Sequence, residues 1–249
     1  MKNSENGQPQ SFAVLPLSEV LLKNLASLGY VAMTPIQAET LPIMLQGDDV
    51  IAKAKTGSGK TVAFGLAILS QLQVENFAAQ ALVLCPTREL AEQVSGALRQ
   101  LARLMPNIKI LNLSGGLPMK PQFESLRHPA HIIVGTPGRV QKHIDKKTLN
   151  LKNLKTLVLD EADRMLDLGF LDEIKSIIAA CPKKRQTLLF SATYPDEINS
   201  ISRAFMRAPT TVHADTTHTE FDIEQRFYEV NHHVNKFPLL KALLLHHQP

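Results

Sequence analysis

The chain has 249 residues, 44% of them hydrophobic and 20% charged, a balance that excludes a disordered or fibrous protein and allows one sizeable core with appendages. A formal net charge of +4 permits an anionic partner without requiring one. Cys85 and Cys181 form no CxxC pair, which argues against a zinc or disulfide framework and fits a reducing compartment. With no apolar run near the ~18 residues of a membrane span, a cytoplasmic protein with no membrane contact is expected.

In chain order, residues 1–11 are polar and read as a flexible tail. Leu17, Leu21, Leu25 and Leu28 define one face of a helix that Gly29 ends. Strands are then predicted at Asp49–Ala52, Gln80–Cys85, Ile108–Leu113, His131–Val134, Leu154–Leu159 and Thr187–Phe190. Helices are predicted at Lys60–Gln73 and Arg88–Leu104, between the later strands, and after Pro195. The strands are nearly continuous Val/Ile/Leu runs rather than alternating ones, as expected when helices cover both sheet faces. The fold class is therefore α/β, a mostly parallel sheet with helices on both faces, spanning 12–208. Beyond Pro209 the pattern weakens. Thr210–Thr219 reads as a linker, Glu224–Val230 as a strand and Phe237–Leu245 as a helix, so 209–249 is expected to be a linker and the truncated start of a second domain.

Ala54-Lys55-Thr56-Gly57-Ser58-Gly59-Lys60-Thr61 sits between a predicted strand and a predicted helix, the context of a phosphate-binding loop. Gly57 and Gly59 let backbone N–H groups approach phosphate oxygens, and the helix N-terminus favours an anion. Lys60 would reach the β/γ-phosphates and the Thr61 hydroxyl would ligate Mg²⁺. Ala54 replaces the glycine of the strict pattern, which leaves open a plain glycine-rich turn. The second signal is Asp160-Glu161-Ala162-Asp163, directly after the apolar strand Leu157-Val158-Leu159. In open parallel sheets such a position faces the ligand crevice. Asp160 would hold Mg²⁺ and Glu161 would orient the attacking water.

With these residues in place, the chain resembles the DEAD-box RNA helicases over nearly its whole length. The likeness rests on Asp160-Glu161-Ala162-Asp163 and, in order, on Gly29-Tyr30 with Thr34-Pro35-Ile36-Gln37, Pro86-Thr87-Arg88-Glu89-Leu90-Ala91, Gly115-Gly116, Thr136-Pro137-Gly138-Arg139 and Ser191-Ala192-Thr193. Ala54 is normal for that family. The resemblance implies a RecA-like P-loop domain using ATP and Mg²⁺. Tyr30, Thr34, Gln37, Thr56, Gly57, Ser58, Gly59, Lys60, Thr61 and Asp160 would bind nucleotide, Gln37 reading the adenine edge with Phe12 packing behind Tyr30. Lys60, Asp160 and Glu161 would carry the chemistry, with Thr61 and Asp160 on the metal. Thr87, Arg88, Gly115, Gly116, Thr136, Gly138 and Arg139 would contact single-stranded or partly duplex RNA without reading its sequence. Asp163, Ser191 and Thr193 would couple the two sites. Arg164–Phe170 is read as packing, and His232, His233, His246 and His247 as solvated surface.

The resemblance further implies an ATP hydrolase that separates RNA strands with a second RecA-like domain carrying γ-phosphate-contacting arginines. No His-Arg-Ile-Gly-Arg-type segment occurs here, so this stretch alone is expected to be nearly inactive. The surroundings of Lys55, Arg164 and Gln186 look most like bacterial members, including a type that acts in ribosome assembly. An ATP-gated RNA clamp without essential turnover, or a P-loop ATPase acting on DNA or protein, are the competing readings.

Overall fold

Residues 10–55, 57–116, 118–194, 196–213, 226–229 and 236–247 are described by the structure, a computed structural model. Seven strands form one sheet: β1 (Val50–Lys53), β2 (Ala81–Leu84), β3 (Ile110–Leu113), β4 (Ile132–Gly135), β5 (Thr156–Leu159), β6 (Gln186–Ser191) and β7 (Thr210–His213). Their order is β3-β4-β2-β5-β6-β1-β7, and every neighbouring pair is parallel.

The period-2 geometry of a strand splits the core into two layers. Val50, Ala52, Val83, Val134, Val158, Leu188 and Phe190 point to one face, while Ile51, Leu82, Leu84, Ile133, Leu157, Leu159 and Leu189 point to the other. The first layer is covered by α1 (Glu19–Ser27), α2 (Pro35–Leu45), α3 (Lys60–Gln71) and α4 (Arg88–Ala102). The second is covered by α6 (Pro137–Asp145), α7 (Ala162–Asp167), α8 (Leu171–Ala180) and α9 (Asp196–Phe205), and α5 (Met119–Leu126) packs its Leu126 there. Burial on both faces is why the strands carry unbroken apolar runs.

Polar side chains fasten the layers where backbone groups would otherwise lack partners. Asn24 donates to the carbonyls of Gln100 (2.9 Å) and Leu101 (2.7 Å), and Arg103 Nε donates to Asn24 Oδ1 (2.8 Å), so α1 closes the C-terminus of α4. The helix predicted to reach Leu104 stops at Ala102, and Leu104 is exposed.

One expectation is corrected at the sheet edge. The first four residues of the expected linker are β7, in register with β1. Thr210, Thr211 and His213 face solvent and only Val212 is buried, so an edge strand carries one apolar residue and reads as a linker. Asp49 anchors this edge. Its carboxylate accepts from the backbone N–H groups of Thr187 and Arg207, both at 2.7 Å, and its carbonyl accepts from Thr210 N at 2.9 Å.

The chain divides into two compact units, Met1–Thr216 and Thr217–Pro249. In the second, α10 (Lys236–His247) matches the helix expected at Phe237–Leu245. Residues 226–229 are not strand, and the remainder of the strand expected at Glu224–Val230 lies outside the described residues, as do 1–9 of the expected tail and His232 and His233. His246 and His247 are exposed. Ser11, within the expected tail, caps a 3-10 turn (Phe12–Val14), and Gln10 O accepts from Met33 N at 2.8 Å. Among the described residues, no helix is long and apolar enough to cross a membrane.

Candidate functional site

Tyr30 and Thr34 lie between α1 and α2, and Gln37 is on α2. Among the described residues, the candidate phosphate, acidic, RNA-contacting and coupling residues lie past the carboxyl ends of strands, and the strand order sorts them. β1, β6 and β5 carry the phosphate-type loop, the Ser191–Thr193 segment and the acidic cluster. The adjoining β2, β4 and β3 carry Thr87-Arg88, Thr136–Arg139 and Gly115-Gly116. The ladders run one residue past the strands, with Ala54 N on Ser191 O (3.0 Å), Asp160 N on Leu84 O (2.9 Å) and Thr136 N on Leu113 O (3.2 Å), which fixes where each loop departs.

Gly57 (φ 85°) and Gly59 (φ 92°) both occupy the left-handed region open to glycine. Gly59 is also pressed against α2, where an added Cβ would lie 2.5 Å from Gln37 Nε2 and 3.0 Å from Thr34 Oγ1. The reason is a bridge between the two segments. Thr34 Oγ1 donates to Ser58 O (2.8 Å) and Gln37 Nε2 donates to Gly59 O (3.0 Å). Gln37 Oε1 accepts from Thr34 N (2.9 Å), a reciprocal cap at the start of α2. Both ends of the Gln37 amide are therefore engaged within the protein in this state. Tyr30, at 38% exposure, remains open to solvent, while Phe12 belongs to the core. Thr56 lies outside the described residues.

Lys60, the first residue of α3, reaches across β6 to the end of β5. Its Nζ lies 2.9 Å from Asp160 Oδ1 and 3.5 Å from Glu161 Oε1. Asp160 is 0% exposed and Lys60 5%. Burial drives the Asp160 carboxyl above its ordinary range, and the Glu161 charge adds to this against the opposing pull of Lys60. Glu161 sits at φ 52°, a left-handed conformation for a residue with a side chain, and its second oxygen takes Arg164 Nη1 at 3.0 Å.

A divalent cation fits this arrangement. Asp160 Oδ2 is buried with no hydrogen-bond partner, as is the Ser58 hydroxyl, and Lys60 already neutralises the other carboxylate oxygen. Among the described residues no cluster of three or more His, Cys, Asp or Glu could cage a metal alone. Mg²⁺ is held through one or two carboxylates together with substrate phosphates and water, and Asp160 would offer one such carboxylate. Thr61, next to Lys60 in the first turn of α3, is partly exposed.

Asp163 joins β5 to β6. Its Oδ2 accepts from Ala192 N (3.2 Å), Thr193 N (2.9 Å) and Thr193 Oγ1 (3.0 Å), and its Oδ1 accepts from Arg164 N (3.1 Å). Ser191 Oγ accepts from Asp163 N (3.3 Å) and donates to Thr193 O (2.6 Å). Burial alone would raise the Asp163 carboxyl, but the donors from Thr193 and Arg164 outweigh it and hold it below the usual range.

On the neighbouring strands, Thr87 caps α4 by accepting from Leu90 N (3.2 Å) and leaves Arg88 exposed. Arg88 lies against Gly116, whose added Cβ would be 3.1 Å from Arg88 Nη1. Gly115 and Gly116 form a turn after β3, and Thr136 stands at the N-cap of α6 with Pro137 in its first turn. Gly138 follows in that turn, and Arg139 donates to Gln122 Oε1 at 2.8 Å. Sequence reasoning missed Gln122 and the ion pair of Arg164. Within 164–170, which it read as packing, Met165 is indeed core. The Gln122 contact leaves no local signal, because Arg139 comes from another element, whereas Glu161 lies three residues before Arg164, a spacing the sequence does show.

A parallel seven-stranded sheet with a glycine-rich loop after β1 and an acidic cluster after β5, separated by β6, defines a RecA-like P-loop domain. The profile of the DEAD/DEAH box helicase family matches residues 34–201, and the chain belongs to that family. It is 55% identical over 236 residues to the ATP-dependent RNA helicase DbpA of Escherichia coli, covering 95% of this chain and 51% of that protein. It is 44% identical over 234 residues to the DEAD-box ATP-dependent RNA helicase CshA of Geobacillus kaustophilus, covering 94% of this chain and 50% of that one. A solved DEAD box protein from Methanococcus jannaschii superposes with a TM-score of 0.79 at 39% identity, over 94% of this chain and 63% of that chain. The chain thus spans about half the length of the curated relatives it matches.

Proposed function

We propose that this domain binds ATP with Mg²⁺ between Lys60 and the Asp160–Glu161 pair, binds single-stranded RNA across the ends of β2, β3 and β4, and works with a second RecA-like domain to couple ATP hydrolysis to local RNA strand separation. The observation that carries the reading is the position of Lys60 Nζ, 2.9 Å and 3.5 Å from two carboxylates that lie a hundred residues away in sequence. A buried cation between two acids is poised to exchange them for phosphate oxygens when a triphosphate arrives.

In this reading the backbone N–H groups of Gly57–Lys60 cradle the phosphates and Lys60 pairs with the β/γ oxygens. Asp160 and Thr61 hold Mg²⁺, which supplies charge neutralisation on the triphosphate. Glu161 orients a water for in-line attack and accepts its proton, the strained backbone at φ 52° aiming the carboxylate. Gln37 turns from Gly59 O to the adenine edge beside Tyr30, so base recognition and loop opening become one event. Asp163 ties Glu161 to Ser191 and Thr193, a path from nucleotide to RNA. Thr87, Arg88, Gly115, Gly116, Thr136, Gly138 and Arg139 offer hydroxyl, guanidinium and backbone donors to phosphate and ribose oxygens, which position a strand without reading its sequence. In this reading the work takes place in the cytoplasm, where two buried free cysteines fit a reducing compartment, with ribosome assembly as its setting.

Steady-state ATP turnover by polypeptide 1–249, with and without RNA, tests this. Turnover is expected to be ~10³–10⁵ below that of a protein with both domains, because the arginines expected on the second domain are not supplied. Strong RNA stimulation of 1–249 alone would overturn the division of labour. In the two-domain protein, Glu161→Gln is expected to lower turnover by ~10²–10⁴ while ATP still binds.

A further inference from the structure

Gln122 is the one buried residue of α5, at 7% exposure, and it has no place in the chemistry described above. Its amide meets three groups from two segments, the turn after β3 and α6. Nε2 donates to Ser114 O (3.2 Å), directly before Gly115-Gly116. Oε1 accepts from Arg139 Nη1 (2.8 Å) and lies 3.0 Å from His143 Nε2. Chemistry fixes which way the amide points. A guanidinium can only donate and a carbonyl can only accept, so the oxygen faces Arg139 and the NH₂ faces Ser114. His143 Nε2 must then carry a proton and donate. In a neutral ring Nδ1 accepts from the Thr148 hydroxyl at 2.9 Å and competes for its single proton with the His143 carbonyl, 3.1 Å from the same oxygen. Burial and the Arg139 charge both favour neutral His143, consistent with this tautomer. Phe123 packs edge-on against the ring at 5.2 Å and holds it in place.

The geometry points to Gln122, backed by His143, as a positioning residue that sets the turn carrying Gly115-Gly116 and the guanidinium of Arg139 in one fixed relation, so that the two present RNA-binding groups at a single spacing. The inference rests on the RNA-face reading proposed above. An RNA backbone has a set phosphate repeat, and donors on two independent loops match it only if the loops are held together. A buried amide between them supplies this without occupying the surface. The link is more than packing, since one side chain satisfies a backbone carbonyl of one RNA segment and the cation of the other. Gln122 itself touches no RNA.

The test is a double-variant cycle on polypeptide 1–249, read by fluorescence anisotropy with a labelled single-stranded oligouridylate at low ionic strength, and by urea unfolding. Gln122→Met, close in size but without the amide, is expected to weaken binding about threefold to tenfold, the loss of hydrogen bonds of this type. Combined with Arg139→Gln it should bind no more weakly than Arg139→Gln alone, because Gln122 acts through that guanidinium. Gln122→Glu keeps an acceptor for Arg139 and loses only the donor to Ser114, so it should fall between the parent and Gln122→Met. It also stands in should the methionine variant not fold. Parent-like RNA binding by Gln122→Met, or losses that simply add in the double variant, would overturn the positioning role while Arg88→Gln and Arg139→Gln still show the RNA face to be real. Parent-like binding by both arginine variants would overturn the RNA-face reading, and this inference with it.

Discussion

Lys60→Met is expected to abolish ATP uptake and to lower stability by about 2–4 kcal/mol at neutral pH, the range for breaking a buried pair that has a protonation route of escape. Asp160 is fully buried, and among the described residues the charges that shift its carboxyl are those of Lys60 and the like-charged Glu161. With the ammonium removed, an uncompensated carboxylate is left fully buried, and the least costly response is to take up a proton. The sign follows from linkage. A carboxyl raised in the folded state binds more protons folded than unfolded, so the folded variant gains stability as pH falls into the window between its ordinary and raised values. Urea unfolding of the variant at pH 7.5 and 5.5 should show the deficit against the parent shrinking at the lower pH. Adding Asp160→Asn to Lys60→Met should restore much of the stability and none of the ATP binding. A variant as stable as the parent at both pH values would mean the pair is not buried as described.

Asp163→Asn is expected to cost about 2–4 kcal/mol and to free the Ser191–Thr193 segment, since hydrogen bonds to a charged acceptor are the strong ones. The four hydrogen bonds to the Asp163 carboxylate from Arg164, Ala192 and Thr193 all come from donors. An amide in its place has one oxygen and one NH₂, so it satisfies one side and turns donor against donor on the other. Hydrogen exchange at the Ala192 and Thr193 amides should accelerate in the variant, and unchanged protection there would refute the link. The parent should show a matching acid effect. Because the Asp163 carboxyl is held below its ordinary range, its contribution is fully present above that range and is lost as pH falls through the lowered value. Asp160 and Asp163, three residues apart, thus respond to acid with opposite signs.

What the sequence made legible follows from burial. β1, β2 and β4–β6 are covered on both faces, so each is an unbroken apolar run that stands out from the residues around it. β7 has one buried side chain, Val212, among two threonines and a histidine, and its docking depends on Asp49, about 160 residues earlier. No local pattern encodes that. The site divides the same way. Lys60, Asp160 and Glu161 were legible because each lies in a contiguous motif whose chemistry is recognisable before folding. Gln122 was not, since its meaning lies in Arg139 and Ser114, partners supplied by other elements, while the Arg164–Glu161 pair, three residues apart, had a local spacing signal. Gln37 is intermediate. Its motif marked it for the nucleotide, but only the structure shows its amide bound to Thr34 and Gly59, so that in the proposed reading adenine would compete for it.

The claim beneath all of this is that one ammonium and two carboxylates share a single ligand. Isothermal titration of polypeptide 1–249 with ATP, in Mg²⁺ and then in excess chelator, addresses it directly. One ATP per chain in Mg²⁺, weaker uptake in chelator, and the same weakening in Asp160→Asn without chelator is the predicted result. No heat of ATP binding under either condition, from a chain shown to be folded, would contradict it.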